Sequence, residues 1–545
     1  MTRWRQGEYY VFLFNETEKT EIYTLSLHDA LPIFTSDDLE LLTKTFTING
    51  EGSGWQTGTM NLGNHRGPLT AHFSIEGHKN REAFCALSEV SLQQLGEDPP
   101  TVLLITSDTH RADYVGFSNA GVEVRTPILD ALAKSGLVFK DCATSTNVTN
   151  PSHVALMTGM SVVQTALVGN DTPLAQVAPT LAEAFREGGF ATWAALSANH
   201  LGHSKSGLGQ GFERMSTPTA FQRNSPDTIA ELIRWLPDAD GQPLFLWLHL
   251  FDVHAPYAPP DEWKNMYYPE GADPYDESLP ILPNYASPKC DRQVRDLAYF
   301  EALYRSEITY VDGVLAGLLA RPGFEGAVSA CTADHGETLE RGMEEPFGHL
   351  SLTFNTLAVP LIVVAPGLEA GEVRGAPVQQ LDLGRTLLNL AGHAGVEFPG
   401  EDLFAVEVGI KRPRFGVQAN GEGASVLHGR WLLVLNLSGE LRDWGPVEET
   451  RHAVRLFDLE RDPYCERDAL AEHSREAGRL RAMLIDWLGE GAQNDWLSER
   501  GADRLEIERQ LEELGYTASG GAGSAGTWID PKCPCARCAA FDGIR

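Results

Sequence analysis

From residue 101 onward the chain alternates short apolar runs with helical patterns, and this alternation constrains its fold more than any other feature. Residues 101–107, 190–196, 244–251, 327–332 and 360–364 have the length and the β-branched or aromatic content of buried strands. Helix patterns lie between them. The first has Thr126 as N-cap, Pro127 in its first turn and Gly136 as stop; others cover 180–187, 226–236 after Ser225, and a long stretch over 293–320. Strands that are apolar on both faces and separated by helices predict an α/β fold, a mostly parallel sheet with helices on both faces. In such a sheet the ligand site gathers at the carboxyl ends of the strands.

A chain of 545 residues exceeds one domain of common size. The alternating region, 98–395, is assigned to the α/β domain. Residues 396–516 turn hairpin-like around His428 and Gly429 and end in an acidic helix, which predicts a small C-terminal α+β subdomain. Residues 35–97 alternate apolar and polar, as in LTAHFSI at 69–75, and read as the remnant of an N-terminal β-sandwich. Residues 517–545 form a Gly-, Ala- and Ser-rich tail, expected to be flexible, with Cys533, Cys535 and Cys538 as an incomplete zinc set. The stretch TEIYTLSLHDALPIF at 20–34 resembles translated sequencing-adapter sequence. Residues 1–34 are therefore expected to stand outside the fold. If the native start is missing, an exported or periplasmic location is favoured.

Lys and Arg number 43 against 75 Asp and Glu, a net charge of −32, which argues against a nucleic-acid partner or an anionic membrane surface. No apolar run reaches bilayer length, so no membrane span is expected. Eight cysteines are too sparse for a disulfide scaffold in so long a chain. The sequence leaves the oligomeric state open.

Three segments end apolar strands with metal-type ligands. Asp108 follows VLLITS, Asp334 and His335 follow VSACTA, and His254 comes just after LFLWLHLF. Any one alone suits turn capping; a parallel sheet brings all three ends together. A fourth segment is TNPSHVALMTG at 149–159, where Pro151 suits a helix start and leaves Thr149 at the helix N-terminus. Free N–H groups there favour an anion or an ionised nucleophile, although on this segment alone a plain Thr N-cap is the favoured reading.

These residues carry a resemblance. LLITSDTHRADYVG, TPILDALAKSGLVFKDCAT and TNPSHVALMTG are similar to the opening of a sulfatase catalytic domain, within the alkaline phosphatase superfamily. TADHGETLERG, FGH and VPLIVVAPG resemble its metal-binding second half, and LFDLERDPYCERDAL its C-terminal subdomain, in the expected order over about 101–516. The family's signature begins with a Cys or Ser that becomes formylglycine and ends in Arg. Here those positions are Thr149 and His153, as in the Thr-x-Pro-Ser-His branch. The resemblance implies one divalent metal held by Asp108, Thr149, Asp334 and His335. Calcium-dependent relatives carry paired Asp and then Asp-Asn; Asp108-Thr109 and Asp334-His335 shift the expectation to zinc or manganese, with calcium as the third candidate.

The same resemblance gives Thr149, His254 and His200 catalytic roles and His153 and His349 contacts with the substrate anion. It implies a hydrolase of small anionic esters, sulfate or phosphate, with a Thr nucleophile. Thr lacks the second hydroxyl by which formylglycine expels sulfate, so its chemistry leans toward phosphate. The alternatives are a phosphoryl-group transferase or phosphodiesterase of the same superfamily, and a catalytically decayed binding protein.

Overall fold

The computed structural model describes residues 23–26, 45–48, 74–76, 100–239, 241–281, 293–339, 348–349, 351–405, 412–437, 451–489 and 536–539. The chain divides into two compact units, Met1–Asp98 with Trp235–Pro243, and Pro99–Arg234 with Leu244–Arg545. In the first unit β1 (Tyr23–Ser26), β2 (Thr45–Ile48) and β3 (Ser74–Glu76) form an antiparallel sheet with β1 at its centre. The central strand thus comes from the stretch that the sequence set aside, and its partners from the segment read as a sandwich remnant.

The second unit is built on an eight-stranded sheet. Its strands are β4 (Val102–Ser107), β5 (Leu137–Ala143), β6 (Ala191–Leu196), β7 (Arg214–Ser216), β8 (Leu244–Leu250), β9 (Val328–Ala333), β10 (Leu361–Val364) and β11 (Glu372–Gln379). Their order across the sheet is β11-β5-β10-β9-β4-β8-β6-β7. All pairings are parallel except those of β10, which opposes both its neighbours. Every residue of β4, β6, β8 and β9 is buried, which is why these strands read as unbroken apolar runs.

Helices α1 (Pro127–Ser135), α2 (Thr149–Thr158), α3 (Leu181–Glu187), α4 (Ser225–Trp235), α5 (Leu297–Leu319) and α6 (Leu383–Leu390) connect the strands. Side chains alternate across a strand. Val102 and Leu104 pack with Val154 of α2, Phe185 of α3 and Leu387 of α6, whereas Ile105, Cys331 and Ile362 meet Leu129 of α1 and Leu315 of α5. Both faces of the sheet are therefore covered, as expected. One detail differs from the sequence reading. Thr126 does not cap α1 with its side chain; the first free N–H groups, of Ile128 and Leu129, donate to the Asp312 carboxylate of α5 at 2.9 and 2.8 Å. A partner nearly two hundred residues away has taken the cap's place.

The C-terminal subdomain is an antiparallel meander, β12 (Arg414–Val417), β13 (Gly423–His428), β14 (Trp431–Asn436) and β15 (Val454–Asp458). Helix α7 (Ser474–Gly489) lays Leu480, Leu484 and Leu488 over Val426, Leu433 and Leu435. Cys142, Cys331 and Cys465 are buried thiols. Cys538 falls on the short helix Ala536–Ala539, while Cys533 and Cys535 lie outside the described residues. Among the described residues no helix is long and apolar enough to cross a membrane.

Candidate active site

β4 and β9 are neighbours in parallel register, Ser107 beside Ala333, so the residues that follow leave the sheet side by side. Those residues are Asp108, and Asp334 with His335. One ligand atom from each of the three lies within 4.8 Å of the others, and all three side chains are fully buried. The backbone is bent to achieve this. Thr109 sits at φ 54, an unusual angle for a β-branched residue, and its N–H donates to Asp334 Oδ1 at 3.1 Å. After His335 the chain runs so close to a neighbouring segment that a Cβ on Gly336 would meet the Asn355 carbonyl oxygen. Only glycine fits there.

Thr149 arrives from the carboxyl end of β5. It is the first residue of α2, with Val148 as N-cap, so the helix starts two residues before Pro151 and Thr149 does not act as a cap. Its Oγ1 stands 3.5 Å from His335 Nε2. The helix is buried along its whole length, and Ser152 Oγ donates to the Asp334 carbonyl at 2.6 Å, tying the two segments together.

The histidines divide into two groups. On one side, His335 Nδ1 donates to the Gly336 carbonyl, which leaves Nε2 turned to Thr149. The His349 ring lies 4.2 Å from that of His335 and 5.5 Å from that of His254, and His254 stacks on Phe251 at 4.4 Å. His200 is buried after β6 with both ring nitrogens lacking a hydrogen-bond partner, and the Asn150 amide of α2 donates to its carbonyl. On the other side, His153 and His249 are fully buried against the sheet, their rings 5.0 Å apart. Both nitrogens of His153 are engaged, Nδ1 with the Thr149 carbonyl at 2.8 Å and Nε2 with Thr106 Oγ1 at 3.2 Å. The ring thus lies between the Thr149 backbone and Thr106, and not in open space beside the cluster.

Burial, then facing charge, organises the electrostatics. Burial pushes the Asp108 carboxyl well above its ordinary range, and the charge of Asp334 adds to this. Burial acts the same way on Asp334 but is outweighed by His335, His153 and His249 and by the Thr109 N–H, which leave it below its ordinary value. Burial lowers His153 and His200 to about 3 and His249 to about 4, so these rings are neutral near pH 7. Asp108 Oδ1 and Asp334 Oδ2 are buried without a hydrogen-bond partner. Two facing carboxylates with orphaned oxygens and one imidazole nitrogen within reach are a donor set that fits a divalent cation.

The family model described as "Sulfatase" matches residues 100–393, more than half of the chain. The chain belongs to the sulfatase family. Among its relatives, an ulvan-active sulfatase of Formosa agariphila is 26% identical over 357 residues, 59% of this chain and 67% of that one. A Δ4,5-hexuronate-2-O-sulfatase of Bacteroides thetaiotaomicron is 24% identical, covering 72% and 89%. Among solved structures, the phosphonate monoester hydrolase of Silicibacter pomeroyi superposes with a TM-score of 0.56 at 18% identity, covering 72% of this chain and 95% of that one. The fold is that of the alkaline phosphatase superfamily, and the chain is an ester hydrolase of the sulfatase family.

Sequence reasoning missed several residues of this sulfatase-family site. His249 lies inside the apolar run of β8 and its Nε2 is 3.2 Å from Asp108 Oδ2. A lone histidine in an otherwise apolar strand was the available signal. Gln380 bonds the Ala333 carbonyl and Ser152 Oγ, and Arg111 spans Asp113 and the Glu337 carbonyl. Neither had a local pattern to mark it.

Proposed function

We propose that the protein hydrolyses a small anionic ester, sulfate or phosphate, with Thr149 as nucleophile and one divalent ion, zinc or manganese, held by Asp108, Asp334, His335 and Thr149. The observation that carries this reading is the Thr149 hydroxyl 3.5 Å from His335 Nε2, beside two carboxylates that each keep one oxygen without a hydrogen-bond partner. The donor set of two carboxylates, an imidazole and a hydroxyl is harder to reconcile with calcium, which prefers oxygen alone. When bound, the ion supplies a Lewis acid that lowers the hydroxyl pKa and neutralises charge on the reacting oxyanions.

The residues divide the remaining work. Thr149 Oγ forms a bond to phosphorus or sulfur as the bond to the leaving oxygen breaks, and the proton lost by Thr149 ends on the departing alcohol. His254 and His200 are the candidates to hold that proton at the leaving oxygen, with His349 beside His254. Water then attacks the Thr149 ester; the bond to Oγ breaks and Thr149 regains its proton. Thr149 has no second hydroxyl to expel sulfate as formylglycine does, which leans toward phosphate esters, whereas the relatives' names favour sulfate.

Two measurements test the reading. A panel of aryl sulfates, phosphate monoesters, diesters and phosphonates with added zinc, manganese or calcium identifies the reacting centre. Quenching the enzyme with a slow phosphate ester should yield a peptide phosphorylated on Thr149. Thr149→Ala should lower kcat by about 10⁴-fold or more with the fold intact, while Thr149→Ser retains part of the rate. Near-normal turnover by the Ala variant, or a trapped group on another residue, removes Thr149 from the mechanism.

A further inference from the structure

We propose that His249, in the middle of the active-site sheet, is the positioning residue that turns Asp108 toward the metal, an inference that rests on the metal reading above. Its Nε2 lies 3.2 Å from Asp108 Oδ2 and both side chains are fully buried. A carboxylate that ligates a cation is ionised and only accepts, so in the metal-bound state Nε2 carries the proton and donates. That bond occupies Oδ2 and leaves Oδ1, which has no hydrogen-bond partner, as the oxygen free for a cation.

The other ring nitrogen argues for function rather than packing. In this tautomer Nδ1 is an acceptor, it is buried, and it has no partner. An unsatisfied buried acceptor is destabilising, so an apolar residue would serve β8 better if stability were the only demand. Nor is the ring a further protein ligand of the ion. The mutually close ligand atoms are those of Asp108, Asp334 and His335, and no nitrogen of His249 joins them.

The ring is held in this orientation from the side. His153 meets it edge to face with ring centroids 5.0 Å apart, and Trp247 and Phe251 lie 6.5 and 6.1 Å away. His153 is itself locked by a directed chain. Trp247 Nε1–H donates to Thr106 Oγ1, whose own proton is left for His153 Nε2, and His153 Nδ1–H donates to the Thr149 carbonyl. Two imidazoles thus stand beside the site, one steering Asp108 and the other the backbone of Thr149. Outer partners that orient metal ligands in this way typically change affinity by about 10–100-fold when removed.

The test titrates zinc and manganese separately into metal-free wild type, His249→Ala and His249→Gln by calorimetry, with circular dichroism as the folding control. The Ala variant should bind one ion about 10–100-fold more weakly. The Gln variant, whose amide N–H reaches to a similar length, should recover most of the loss, and its cobalt(II) derivative should keep the wild-type absorption spectrum. Wild-type affinity in the Ala variant overturns the proposal. So does a Gln variant no better than Ala, or one with an altered cobalt spectrum, which would make His249 a ligand. Absence of stoichiometric binding by the wild type overturns the metal reading itself, and with it this inference, in a different sample.

Discussion

Asp108 and Asp334 face each other across a gap where burial and mutual repulsion push the Asp108 carboxyl up while the surrounding histidines and the Thr109 N–H hold Asp334 down. A cation between them relieves that conflict, so each should be indispensable to it. Asp334→Ala or Asp108→Ala is expected to abolish stoichiometric metal binding and turnover together; full occupancy by elemental analysis in either variant would contradict the assignment. These residues were legible in the sequence because each follows directly on an apolar run, and a strand end is a place that sequence alone can locate. His249 was not, because a histidine within such a run carries no mark of which way it points. His153 was legible as a departure from the signature, but its direction was not. That direction depends on Thr106, on a strand far from it in the chain.

At the scale of elements, the segment that carries His254 is pinned from outside the site. Asp252 accepts from the Ser225 N–H and hydroxyl, and Glu307 of α5 accepts from the Ala258 N–H at 2.8 Å. Glu307 is buried, and burial followed by the charge of Asp252 pushes its titration from an ordinary 4.5 up to about 8. An acid whose folded pKa is raised contributes stability that is fully present below its unfolded pKa and is lost as pH rises through the folded one. Wild-type stability should therefore fall between about pH 4.5 and pH 8. Glu307→Gln keeps the acceptor and removes the titration, so its melting temperature should exceed that of wild type by a margin that grows from pH 5 to pH 9. A constant difference across that range would refute the assignment. Strand and helix positions were read well from the sequence because burial on both faces leaves long apolar runs. The strand β5 and the reversal of β10 were not, since direction within a sheet is set by partners that a local pattern does not encode.

For the whole molecule, every residue assigned to the site lies between 108 and 380, in the unit that holds its own sheet and core. Deleting residues 1–34 is expected to leave metal binding, turnover and the main unfolding transition unchanged. Because it removes the central strand of the small sheet, it should also raise proteolysis within 35–97. A large fall in activity would show that the leading segment serves the catalytic unit.

The side-by-side exit of the ligands from β4 and β9 has a consequence for how such a site diversifies. Neighbouring strands are held about 4.8 Å apart by their hydrogen bonds, so the side-by-side departure of the two aspartates is inherited from the ladder. What remains adjustable is the residue after each aspartate, Thr109 and His335. Exchanging both, Thr109→Asp with His335→Asn, should move relative affinity from zinc toward calcium, as competitive binding would reveal. Asp also tolerates the φ of 54 at position 109 better than Thr does. A lineage could thus change its ion, and with it the chemistry within reach, by editing two letters while the scaffold stays as it is. A double variant that keeps wild-type ion preference would mean that the choice lies deeper than the rim of the sheet.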